Sequence, residues 1–178
     1  NSQTKAFQTK LFIQIEQILK NHLKFMERKR IQMEDALQEI LDRQEIIDLT
    51  IAYGWLLDHG PRERLDTVFT EDAVCDYMSV VVEGLPAIIE KVTNALGPLD
   101  ASQHIVSNQQ VTINGDTATC RCYLHAQHTL RGTEGGDNFI IAGRYDDELI
   151  RTPDGWRITF RKLSRDWTEG NPGIRQPS

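Results

Sequence analysis

The chain lacks most of the features that announce a function. It has no run of about 18 apolar residues, so a transmembrane helix is excluded. Its opening, NSQTKAFQTK, lacks the basic start, apolar core and small-residue site of a secretory signal. Basic residues are outnumbered, 20 Lys and Arg against 26 Asp and Glu, which argues against a nucleic-acid partner. There are three cysteines, Cys75, Cys120 and Cys122, an odd number without metal-ligand spacing. Reduced thiols in a cytoplasmic protein are the expectation. No P-loop, Rossmann glycine pattern, nucleophile elbow or zinc motif occurs, so no metal or cofactor is expected.

What is present fits a single α+β domain behind a leader. A length of 178 residues corresponds to one domain with one substantial core. Residues 1–32 carry a formal charge of +5, and the remainder carries −11. Phe7, Leu11, Ile15, Ile18, Leu19, Leu23 and Met26 follow a helical rhythm, making this leader a basic amphipathic helix. Such a segment reads as a membrane-surface or partner-binding element, or as an appendage foreign to the domain. The domain proper is expected over 33–170, with an irregular tail at 171–178.

The spacing predicts a second helix from Met33 to Asp58, ended by DHGPRE with Gly60 as a left-handed cap. A short helix at 62–69, a strand through VCDYMSVVVEG and a helix at 86–96 follow. Beyond residue 100 the pattern becomes long strands, with a hairpin at Asn114-Gly115-Asp116. Helices followed by an antiparallel meander predict a curved sheet with helices on one face, able to close into a cone.

Four residues stand out. Asp58 ends the stripe Ile47, Ile51, Gly54, Asp58 on the second helix, and periodicity leaves it open between pocket and solvent. Tyr53 lies on the neighbouring stripe. His104 begins a strand, and a His–Asp pair is an economical general base near neutral pH. Arg161 alternates with Trp156, Ile158 and Phe160, which by itself reads as part of a solvent-facing basic row. The remaining histidines are weaker candidates. His125 and His128 differ by three, so they point to opposite strand faces and cannot share a metal. His59 adjoins the helix end, and His22 lies in the leader.

The stretches RQEIIDLTIAYGWLLDHGPRERLDTVFTEDAV (43–74), SQHIVSNQQVTINGDTATCRCY and GRYDDELIRTPDGWRITFRKL resemble SnoaL-like proteins of the nuclear transport factor 2-like superfamily. That resemblance implies the cone-shaped α+β barrel. The site pattern is most similar to the cofactor-free lyases of this fold: scytalone dehydratase, bile-acid dehydratase and hexachlorocyclohexane dehydrochlorinase. In that comparison Asp58 and His104 match their catalytic pair, Tyr53 the tyrosine of the dehydratases, and Arg161 their last-strand arginine. Trp55, Cys120, Cys122, Leu124 and Ile141 would then contact substrate. The resemblance implies a lyase or isomerase for a small hydrophobic cyclic substrate, assembled as a homotrimer or homodimer. Three alternatives stay open: a polyketide cyclase with Asp58 as base, a non-catalytic binder of hydrophobic molecules, and an adaptor working through its leader. Neither nucleic acid nor a membrane is an expected partner.

Overall fold

In the computed structural model, which describes residues 2–174, the chain separates into two units, Asn1–Leu41 and Asp42–Ser178. One helix, α1 (Ser2–Asp58), runs through the boundary where two helices were expected. Nothing at 31–33 breaks it, since neither glycine nor proline falls between Ser2 and Tyr53. In the first unit Phe12, Leu19, Met26 and Met33 are all exposed. No helix among the described residues is long and apolar enough to cross a membrane.

The second unit is an α+β fold. After α1 come a 3-10 turn (Arg62–Thr67), strands β1 (Phe69–Asp76) and β2 (Val81–Glu83), and helix α2 (Leu85–Leu96). Four long strands complete it: β3 (Ala101–Asn114), β4 (Thr117–Thr129), β5 (Asn138–Thr152) and β6 (Gly155–Gly170). The sheet order is β2-β1-β6-β5-β4-β3. All pairings are antiparallel except β1 with β6, which is parallel and joins the two ends of the domain. The 114–116 turn forms as the sequence predicts, with Gly115 at φ 61°.

The expected irregular tail begins with a defined turn. Pro172–Ile174 make a 3-10 turn, and Ile174 buries itself against Phe139 and Ile141. Residues 175–178 of the expected tail lie outside the described ones.

Two features aim the site. The first is the packed face of α1, which buries Ile46, Leu49, Tyr53 and Leu57 against the sheet. Asp42 accepts two hydrogen bonds from Arg151 at 2.6 Å, and Glu45 accepts one from the Trp156 amide at 2.8 Å. These contacts fix the rotation of the helix about its axis. The second is a set of β-bulges, each inserting one residue and reversing the in–out alternation beyond it. On β3 the register slips between Ser107 and Gln110, where Asn108 adopts φ 58°. On β6 it slips at Thr159, because Glu148 faces Phe160 while the adjacent Leu149 faces Ile158. Trp156 and Ile158 therefore point inward before the bulge, and Arg161 and Leu163 after it.

That bulge corrects the reading of Arg161 as a solvent-facing residue: it is 0% exposed. A second correction concerns Gly60, whose φ is not positive. A Cβ there would lie 2.8 Å from the Leu56 Cα, so close approach excludes a side chain at this position.

Candidate functional site

Helix α1 ends beside the start of β3, and Gly54 permits the approach. A Cβ at Gly54 would sit 3.1 Å from the backbone oxygen of His104, so a larger residue would push helix and strand apart. One turn further along α1, the Asp58 carboxylate meets three donors from the strand. The Ser102 hydroxyl donates to Oδ1 at 2.7 Å, and the His104 amide donates to Oδ2 at 2.6 Å. His104 Nδ1 lies 2.7 Å from Oδ1. Both side chains are 6% exposed. Burial pushes the Asp58 carboxyl pKa up, but the hydrogen bonds from the His104 ring, the His104 amide and Ser102 outweigh it. The acid is held below its ordinary value and stays ionised. An ionised partner at Nδ1 fixes the tautomer: in the neutral imidazole the proton sits on Nδ1 and Nε2 carries the free lone pair, the form a general base needs.

His104 lines a partly open cavity of about 100 Å³ between α1, α2 and the sheet. Its apolar walls include Leu57 from α1, Val92 and Leu96 from α2, and Leu124, Ala126 and Ile141 from the sheet. The polar groups facing it are His104, His128 and three tyrosines, Tyr53, Tyr77 and Tyr145. The His128 ring stands edge-on to His104, with centroids 5.7 Å apart. Burial raises the pKa of all three phenols; beneath Tyr53 the charge of Arg161 acts in the opposite direction without overcoming it. They are therefore protonated hydrogen-bond donors at neutral pH.

Arg161 lies beyond this floor and does not line the cavity. Its Nε and Nη2 donate to the two oxygens of Asp147 at 2.7 Å each. The guanidinium carbon is 4.2 Å from the ring centroids of both Tyr53 and Tyr145. Burial works against its charge, and the Asp147 carboxylate overrides that, holding its pKa well above the usual arginine range.

Of the residues expected to contact substrate, Leu124 and Ile141 line the cavity. Cys120 and Cys122 share their strand face but pack deeper in the core, at 1% exposure each. Burial pushes their thiols up to about 12 and about 11, and that of Cys75 to about 11. Trp55 does not line that cavity: it is 65% exposed beside His59, and it lines a separate pocket of about 360 Å³ together with Asp58 and His104.

Sequence reasoning missed Ser102, His128, Tyr77 and Tyr145. Two of them were within reach of strand alternation. His128 continues the inward row Leu124, Ala126, and Tyr145 lies on the buried face of β5. Among the described residues no group of three or more His, Cys, Asp or Glu is placed to hold a metal.

A curved six-stranded sheet with helices packed against it places the chain in the nuclear transport factor 2-like class. Within that class the chain belongs to the SnoaL-like domain family, which it matches over residues 38–162. An uncharacterized protein of Mycobacterium tuberculosis is 35% identical over 129 residues, covering 71% of this chain and 86% of that protein. The crystal structure of the Kfla4162 protein from Kribbella flavida is 30% identical with a TM-score of 0.71. It covers 76% of this chain and 97% of the other. A hexachlorocyclohexane dehydrochlorinase, LinA type 2, shares the fold at 19% identity and a TM-score of 0.68, covering 80% and 97%.

Proposed function

We propose that this protein is a lyase or isomerase of the dehydratase type, acting by proton abstraction on a small, largely apolar ring compound. The observation that carries the reading is the Asp58–His104 hydrogen bond, with His104 at the wall of a largely apolar cavity. His104 Nε2 takes a proton from a carbon acid, and its electron pair forms a carbon–carbon double bond. In an elimination the group on the neighbouring carbon leaves with its bonding pair. In an isomerisation the imidazolium returns the proton elsewhere along the new double bond. Asp58 holds the Nδ1 proton and stabilises the imidazolium throughout.

The phenols and His128 supply donors for a carbonyl or departing oxygen, in surroundings where such bonds are stronger than in water. Arg161 acts one layer down, through the rings of Tyr53 and Tyr145. Proton transfer of this kind requires no cofactor. At about 100 Å³ the cavity is smaller than the about 150 Å³ that accommodates benzene, so even a single-ring substrate requires lining side chains to move aside.

One observation weighs against Asp58 itself as the base, as a cyclase would use it: each of its oxygens already accepts a hydrogen bond, from Ser102 and the His104 ring on one and from the His104 amide on the other.

The test is a turnover screen of hydroxylated, halogenated and ketonic single-ring compounds. His104→Ala is expected to lower kcat/KM by about 10²–10⁴-fold with the fold intact. Turnover that survives this substitution removes His104 as the base.

A further inference from the structure

Ser102 and His104 are two residues apart on β3, so their side chains share the face turned toward the end of α1. The pair forms a clamp on one carboxylate. Oδ1 of Asp58 accepts from the Ser102 hydroxyl and faces the His104 ring, both at 2.7 Å, while the His104 amide holds Oδ2. A carboxylate bonded to the imidazole alone could rotate about its terminal torsion, which is soft. With Ser102 and the amide on different oxygens, that torsion is fixed and Oδ1 stays in line with Nδ1. Ser102 is absent from the cavity wall and lies instead in a depression on the far side, beside His59 and Gln103.

We infer that Ser102 is a positioning residue: its hydroxyl locks the Asp58 carboxylate so that the His104 ring keeps Nδ1 protonated and Nε2 directed at the cavity. The inference rests on the Asp58–His104 reading and deepens it. Ser102 touches neither substrate nor the reacting nitrogen, and it acts through Asp58 alone. The other ionisable groups near the pair are His59, exposed at the helix end, and His128, edge-on to the His104 ring. Neither is hydrogen-bonded to Asp58 among the bonds described. The hydroxyl is therefore the one side-chain contact that can be removed while leaving the acid and the imidazole in place.

The experiment uses NMR on the full chain, wild type against Ser102→Ala and Ser102→Thr, and needs no substrate. In the wild type, the His104 Nδ1 proton is expected as a slowly exchanging downfield signal. Loss of a hydrogen bond to a charged group corresponds to about a tenfold change or more in equilibrium. In Ser102→Ala the Nδ1 proton should exchange about tenfold faster or more, and the Asp58 carboxyl carbon should titrate closer to an ordinary aspartate. Ser102→Thr keeps the hydroxyl and should restore both signatures. If Ser102→Ala does not fold, Ser102→Cys, of similar shape and weaker donor strength, carries the same comparison. Unchanged exchange and titration in the variant lacking the hydroxyl would overturn the role of Ser102. Absence of the Nδ1 signal in the wild type would instead overturn the Asp–His reading beneath it.

Discussion

Replacing Arg161 by methionine gives the sharpest test of how the floor beneath the cavity is held. The substitution keeps an unbranched apolar stem and removes the guanidinium, leaving the Asp147 carboxylate 0% exposed without its partner. Two charge-assisted hydrogen bonds of 2.7 Å are lost, together with the stacking on Tyr53 and Tyr145. Breaking one side of a buried pair costs about 3–5 kcal/mol, mainly because a bare charge stays buried. For a domain of this size that corresponds to a fall in Tm of roughly 10–15 °C. The double variant Arg161→Met/Asp147→Leu has no buried charge to strand and should recover most of that loss. Urea denaturation of the wild type, both single variants and the double variant measures the cycle. The reasoning fails if Arg161→Met costs less than about 1 kcal/mol, or if the double variant is no more stable than the worse single one.

Two further predictions concern the end of α1. Because hydrogen bonds hold the Asp58 carboxyl below its ordinary pKa, its contribution is fully present above the ordinary carboxylate value and lost as pH falls through the lowered one. Denaturation across the acid range should show that slope in the wild type and a flatter one in Asp58→Asn; parallel slopes would contradict it. Gly54→Ala places a methyl group 3.1 Å from the His104 backbone oxygen, and should destabilise the domain by about 1–3 kcal/mol. It should also lengthen the Asp58–His104 contact in a crystal structure; an unchanged contact and stability would show that the helix is not seated on the strand at that point.

The local pattern made a good part of this protein legible. The 114–116 hairpin, helix α2 and the alternation of β4 all depend on residues within a few positions of one another. Cys120, Cys122 and Leu124 fall on one face of β4 for that reason. The resemblance in the 43–74, 102–123 and 143–163 segments carried the fold further than periodicity could. The boundary of the leader was less legible, because the helix contains nothing local that ends it before the DHGP stretch.

What the tertiary structure decided turns on single residues. Perfect alternation sends Arg161 outward with Arg157 and Thr159, but the extra residue at Thr159 reverses the phase. A bulge is a mismatch between two strands, so neither strand announces it alone. Trp55 was expected to contact substrate, and it stands three residues from Asp58 on the same side of the helix; the contacts of Asp42 and Glu45 turn Tyr53 and Leu57 toward the sheet instead, and Trp55 lines a separate pocket with Asp58 and His104. Asp58 is the clearest case. Helical periodicity left it balanced between solvent and interior, since both ends of that choice satisfy the chain locally. Its donors lie 44 and 46 residues away on β3, and the glycine that lets them approach belongs to the helix itself. The sequence by itself determined which residues could do the chemistry; only the pairing of distant segments decided which of them share a hydrogen bond, because burial and register belong to both partners at once.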